Sequence, residues 1–133
     1  MPGTLELINQ ASAQDLIDLE KVYADYPSDF RWPQMQEILQ QDEQISLYGA
    51  RFNARLLGAI SCKKTNEQLE LNHLCVRKVT RQRHVARDLL RLLIAENPQQ
   101  KIIFNSCIEE PGLTRLLEQA GFSAENQQYT LHT

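Results

Sequence analysis

Two apolar runs, residues 69–76 and 101–107, bracket the longest helical pattern in the chain, residues 83–97, and that arrangement decides most of what the sequence can fold into. Val85, Leu89, Leu92 and Leu93 recur at helical spacing, and Ala86, Leu90 and Ile94 widen the face they form. A face this broad packs on a sheet rather than lying on a polar surface. Asn97-Pro98 stops the helix, because the residue before a proline is pushed out of helical geometry. Strands on either side of a long helix cannot form a hairpin, so their natural connection is a parallel crossover.

The rest of the pattern builds around that unit. Residues 4–9 alternate apolar and polar and predict a first strand. Ser12 with Asp15 forms a capping box that opens a short helix, with Leu16, Leu19, Val22 and Tyr23 as its apolar positions and Pro27-Ser28 as its end. Pro33, suited to a first helical turn, starts a second short helix running towards Gln41. Residues 46–52 and 56–62 are apolar runs around Asn53-Ala54, a hairpin signature, and Thr65-Asn66-Glu67 turns the chain into 69–76. These three runs predict an antiparallel meander. Pro111-Gly112 begins a last helix carrying Leu113, Leu116, Leu117 and Ala120, with Gly121 as its C′ residue. Residues from Phe122 on, ending with Tyr129 to Leu131, supply edge strands. The expected fold is α/β, an α+β mixed sheet, in a single domain over 1–133.

Composition narrows the function classes. The 133 residues are 42% apolar and 23% charged, a mix that suits one folded domain with a real core. A net charge of −3 disfavours wholesale binding to nucleic acid or anionic membrane. No apolar run reaches the length of a membrane span, and Met1-Pro2-Gly3-Thr4 lacks a signal-peptide layout, so the expected location is cytoplasmic. Cys62, Cys75 and Cys107 lack the close pairing of a zinc or redox site and are expected as buried reduced thiols; no metal is expected.

Chemistry concentrates where the central strand hands over to the long helix. Arg77, Lys78, Arg81, Arg83 and Arg87 crowd this junction in an otherwise acidic chain. Loop amides and the unpaired N–H groups of a helix start point one way there, and the helix dipole adds positive potential, a combination that suits a pyrophosphate. A solvated basic face near a helix start accounts for the residues equally well. A basic-patch nucleic-acid binder fits less, since the cluster is one turn wide and carries no interleaved aromatics.

The order of elements, and the segment Arg81-Gln82-Arg83-His84-Val85-Ala86, resemble the GCN5-related N-acetyltransferases (GNAT) and their acyl-CoA signature Arg/Gln-x-x-Gly-x-Gly/Ala. Arg81 and Ala86 fit it, and His84 stands where the family has glycine. The resemblance implies that main-chain groups of Leu74, Cys75 and Val76 pair with the pantetheine arm of acetyl-CoA or CoA. It also implies that Thr80, Arg81, Gln82, Arg83, His84, Val85, Ala86 and Arg87 hold the phosphates. Ala120-Gly121-Phe122 is similar to the Gly-Phe that closes the last GNAT helix. An acetyltransferase also needs a base for the acceptor amine and an acid for the leaving thiolate, usually a tyrosine four residues before that glycine. Here that position is Leu117. Glu70 and His73 are the candidate bases, although a solvent-facing strand residue and a hydrogen-bonded cleft wall explain them as well.

Over residues 11–131 the chain more narrowly resembles the PanD maturation and regulatory factors (PanZ, also called PanM). The stretches that carry this are Asp18-Leu19-Glu20-Lys21-Val22, Tyr48-Gly49-Ala50-Arg51-Phe52-Asn53-Ala54-Arg55-Leu56-Leu57, the strand end with Arg77-Lys78-Val79-Thr80, and Gln119-Ala120-Gly121-Phe122. The resemblance implies a regulator that uses acetyl-CoA as a ligand and binds aspartate 1-decarboxylase. It would promote self-cleavage of the proenzyme, which creates the pyruvoyl group, and restrain the mature enzyme. By the same resemblance Arg51 and Asn53 contact the decarboxylase. A hairpin tip presents side chains outward, arginine can clamp a carboxylate and asparagine can pair with backbone; asparagine is also a common turn residue. The alternative is an N-acetyltransferase that moves acetyl from acetyl-CoA to an amine.

Overall fold

At the middle of the sheet, strand β4 (Gln68–Val76) pairs antiparallel with β3 (Arg55–Lys64) on one side and parallel with β5 (Lys101–Asn105) on the other. Helix α3 (Val85–Glu96) makes the crossover between β4 and β5 that the broad apolar face predicts. The computed structural model describes residues 4–8, 10–24, 26, 29–65, 67–77, 85–98, 101–105, 111–125 and 128–131. The remaining elements are β1 (Thr4–Leu7), α1 (Ala13–Ala24), α2 (Trp32–Gln41), β2 (Ile45–Phe52), α4 (Pro111–Gln119), β6 (Ser123–Glu125) and β7 (Gln128–Leu131). Together the strands form a mixed seven-stranded sheet in the order β1-β2-β3-β4-β5-β7-β6.

Local chemistry explains most boundaries. The predicted capping box is present: Asp15 N–H donates to Ser12 Oγ at 3.0 Å, and Ser12 N–H donates to Asp15 Oδ2 at 3.3 Å. Asn53 (φ 49°) and Ala54 (φ 70°) both take left-handed backbone, the geometry of a tight two-residue hairpin between β2 and β3. Gly121 (φ 101°) ends α4 with its own N–H bonded to Glu118 O and Phe122 N–H bonded to Leu117 O, each at 3.0 Å. That paired pattern is a Schellman motif, and glycine adopts its left-handed residue without Cβ strain.

The helices cover both faces. Leu19, Val22 and Tyr23 of α1 and Trp32 and Met35 of α2 pack on Leu47, Leu56, Ala59 and Cys75. On the opposite face Val85, Leu89, Leu90 and Leu93 of α3 and Leu117 of α4 pack on Ile60, Leu69, Leu71, Ile102 and Phe104. Burying one such leucine completely stabilises the fold by about 2 kcal/mol.

Four expectations need correction. Leu16 is exposed, and α1 instead buries Asp15 and Asp18, because two arginines of the hairpin reach in to neutralise them. Leu90 rather than Leu92 lies wholly inside α3's packed face. Strand β7 is not an edge: it inserts between β5 and β6, so β6 alone ends that side of the sheet. The first strand stops at Leu7, two residues before the alternation does. Cys62 and Cys75 are buried and outside any disulfide, as expected, and Cys107 lies outside the described residues.

Candidate functional site

Among the described residues, strand β4 is paired on both sides only from Leu69 to Leu71. Its register with β5 runs from Gln68↔Lys101 to Leu71↔Phe104, whereas pairing with β3 continues to Gly58↔Val76. Among the described residues, 72–76 therefore extend beyond the last β5 partner. The departure coincides with a bulge. The β3–β4 register shifts between Ala59 and Ser61, and His73 opposite takes left-handed backbone at φ 55°. An extra residue at such a bulge bends the strand and re-aims its side chains.

Side chains at this strand end turn inward. Leu74 and Val76 pack towards α3, while Cys75 points the other way and its thiol donates to Val22 O at 3.0 Å. A ligand laid along this strand would therefore meet main chain. Helix α3 starts close by, with Val85 fully buried, Ala86 partly buried and Arg87 exposed beside Asp88, Nε to Oδ1 3.6 Å. Gly58 permits that close approach: a Cβ there would meet Val76 Cγ2 at 3.1 Å and Val85 Cγ1 at 3.2 Å. Thr80, Arg81, Gln82, Arg83 and His84, the core of the predicted phosphate segment, lie outside the described residues. Among the described residues, the strand end that lacks a β5 partner and the start of α3 are adjacent. That arrangement fits a CoA-type ligand, whose amide-bearing arm pairs with backbone and whose phosphates suit a helix start.

The two candidate bases fall in different places. Glu70 lies in the doubly paired part of β4, opposite Lys63 and Ile103, and accepts from Gln68 Nε2 at 2.9 Å. His73 sits at the bulge, where β4 leaves β5. Its ring stacks on Phe30 with centroids 4.1 Å apart and an interplanar angle of 11°, and Tyr26 lies beyond at 6.3 Å. Ser61 Oγ donates to Asn72 O at 3.0 Å and lies 3.0 Å from His73 Nδ1. A serine that donates to the carbonyl can accept from Nδ1–H, so the two contacts are compatible. Burial pushes the imidazole down to about 4, which keeps the ring neutral at neutral pH. Leu117 is wholly buried in the core. It offers no proton to a leaving thiolate.

The hairpin tip forms the second part of the site. Asn53 is exposed at the turn. Arg51, expected to point outward, is turned inward instead. Its Nη1 and Nη2 donate to Asp15 at 3.1 and 3.2 Å, its Nε donates to Glu6, and Nη1 also reaches Ala54 O at 3.0 Å. On the far side of the turn, Arg55 Nε donates to Asp18 Oδ1 and Oδ2, both at 3.0 Å, and Nη2 to Oδ1 at 2.6 Å. Asp18 also accepts from Leu56 N–H at 3.1 Å and Gln14 Nε2 at 3.0 Å. Hydrogen bonds from Arg51 hold the Asp15 carboxyl below its ordinary range. At Asp18 burial works upward, but the bonds from Arg55, Leu56 and Gln14 outweigh it and the carboxyl is again lowered. Sequence reasoning placed Asp15 in the capping box but found neither acid's arginine partner. The available signal was their spacing with Leu19, Val22 and Tyr23, which places them on the buried stripe of α1 above a hairpin with arginines on either side of its turn.

No group of His, Cys, Asp and Glu among the described residues could hold a metal ion. No described helix is long and apolar enough to cross a membrane.

Comparison with known proteins agrees with this geometry. The family model described as acetyltransferase (GNAT) domain, PanZ, matches residues 2–130. The PanD regulatory factor of Escherichia coli is 33% identical over 129 residues, covering 94% of each chain. The PanD regulatory factor of Salmonella typhimurium is 38% identical over 98 residues, 74% of this chain and 71% of that one. Among solved structures, YhhK of E. coli bound to coenzyme A superposes with a TM-score of 0.77 at 30% identity over the full length of both chains. An acetyl-CoA-bound GNAT acetyltransferase of Elizabethkingia anophelis gives 0.70 at 17% identity over 99% of both, a likeness of fold alone. The one-sided strand end, the helix start beside it and the match across nearly the whole chain place this protein in the PanZ family of GNAT domains.

Proposed function

We propose that this chain, as one GNAT domain, is an acetyl-CoA-binding regulator of aspartate 1-decarboxylase. Loaded with acetyl-CoA or CoA, it binds the proenzyme, promotes the self-cleavage that creates the pyruvoyl group, and restrains the mature enzyme. CoA supply is thereby coupled to pantothenate synthesis, in the cytoplasm. The relatives named as PanD regulatory factors and the CoA-bound YhhK structure support the reading.

One observation carries it. The hairpin tip and the ligand strand end on the same side of the sheet: Gly58 pairs with Val76, and Arg77 N–H donates to Leu57 O at 3.0 Å. Leu57 is two residues from Arg55, so a ligand in the β4–α3 junction lies beside the loop that presents Asn53. Occupancy of one can therefore alter what a partner meets at the other. The test mixes purified protein with proenzyme, with and without acetyl-CoA, and follows cleavage by gel electrophoresis and association by calorimetry. Faster cleavage and binding only with acetyl-CoA are expected. Equal association without nucleotide, or no acceleration, would reject the reading.

An amine N-acetyltransferase is the second reading, with His73, at the β4 bulge beyond the last described β5 partner, as its candidate base. Buried Leu117 opposes a fast version. Steady, amine-dependent release of CoA would select this reading over the first.

A further inference from the structure

Every side-chain nitrogen of Arg51 is engaged within the chain, on Asp15, Glu6 and the Ala54 carbonyl. One guanidinium thus ties β1, α1 and the turn together. Arg55, on the other side of the turn, is fastened to Asp18, which also accepts the next main-chain N–H, that of Leu56. Between these two anchors stand Asn53 and Ala54, consecutive non-glycine residues with left-handed backbone. The two-residue hairpin requires that geometry, and the two arginine–aspartate pairs flank it on either side.

Resting on the function proposed above, we infer that Asp15 and Asp18 are positioning residues of the partner-binding tip. Acting through Arg51 and Arg55, they fix the loop that presents Asn53, and Arg51 serves the partner from inside the fold rather than as a surface cation. A buried ion pair is often no better for stability than apolar residues of similar volume, and the best-attested use of such a pair is to set one geometry among several. Asp15 is 8% exposed and Asp18 0%, and their two partners flank the same two-residue turn. Charges placed for solubility would stand in solvent.

The test compares the wild type with Asp15→Asn, Arg51→Ala and the double variant. Each is measured for affinity to the decarboxylase proenzyme with acetyl-CoA present, for acetyl-CoA affinity alone, and for amide hydrogen exchange across residues 52–55. Both single variants are expected to weaken partner binding by at least about tenfold, with the double variant no worse than the weaker single, the non-additivity of one shared interaction. Acetyl-CoA affinity stays as in the wild type, and exchange at the tip quickens in both. Asp15→Asn is the leading variant because it keeps the shape and the bond to Ser12, whereas Asp18→Asn strips a fully buried group. Unchanged or tighter partner binding by Asp15→Asn, as expected if a freed Arg51 were itself the contact, overturns the inference while leaving the proposed function intact. Failure of the wild type to associate at all removes both.

Discussion

Tyr23, wholly buried in α1, donates its hydroxyl to the carbonyl oxygen of His73 at 2.9 Å, fastening the helix to a strand residue with left-handed backbone. Fifty residues apart in sequence, the two hold the bend that parts β4 from β5. Tyr23→Phe keeps the ring and its packing against Trp32 but leaves the carbonyl without that donor. The expected loss is about 1 to 2 kcal/mol of unfolding free energy, read as a lower urea midpoint at unchanged slope. An unshifted midpoint would mean that the bend holds itself.

His73 makes stability depend on pH in a defined window. Burial lowers its imidazole from 6.5 to about 4, so between these values the unfolded chain takes up a proton that the folded chain does not. Stability then rises with pH in that range, and is lost as pH falls from about 6.5 towards 4. The lowered carboxyls of Asp15, Asp18 and Asp42 act in the same direction but only at lower pH, below their ordinary 3.8. Chemical denaturation across pH 4 to 7 should give a shallower slope for His73→Asn than for the wild type. Identical slopes, or a ring that titrates near 6.5 by NMR, would place His73 in water.

Gly58 controls how closely α3 approaches the ligand strand. A methyl group there would press on Val76, on Val85 and on the Cys75 carbonyl at 3.3 Å, and the carbonyl cannot move aside cheaply. Gly58→Ala is expected to cost about 1 to 3 kcal/mol by overpacking, and to weaken acetyl-CoA binding because the first turn of α3 is displaced. Thermal melts with and without acetyl-CoA separate the two effects. A normal ligand-induced shift in a destabilised variant would mean that the helix start does not set the site.

The apolar periodicities made the architecture legible. The broad face of α3, the alternation in β2 to β4 and the Gly121 stop each arise from contacts within a few residues, and each proved to be structure. What escaped was long-range. Asp15 read only as a capping-box partner and Asp18 as an ordinary polar position on a helix, since the arginines that neutralise them lie 36 and 37 residues away. The bulge at His73 was equally hidden. A histidine in an alternating run gives no sign of left-handed backbone, which depends on the β3 register and on Tyr23. Arg51 shows the same limit in reverse. The hairpin could be read from Asn53-Ala54, but the inward turn of the arginine follows from a helix placed against it.

His84 carries the last expectation, and it rests on sequence, since the residue lies outside the described structure. In the acyl-CoA signature its position belongs to glycine, which has no Cβ and lets the backbone come close to a pyrophosphate. An imidazole there either crowds the phosphates or donates to one of their oxygens, and the two roles give opposite results on removal. If it crowds, His84→Gly frees the approach and acetyl-CoA binds at least as tightly as to the wild type. If it donates, the variant loses a contact with a charged oxygen, worth about 1.5 to 3 kcal/mol and so more than tenfold in affinity. Helix starts elsewhere hold phosphates by main-chain N–H groups alone, so the first outcome is the expected one. Calorimetric titration of both proteins with acetyl-CoA decides it. A collapse in affinity for the glycine variant would make the imidazole a ligand contact and the signature's departure an adaptation of this chain.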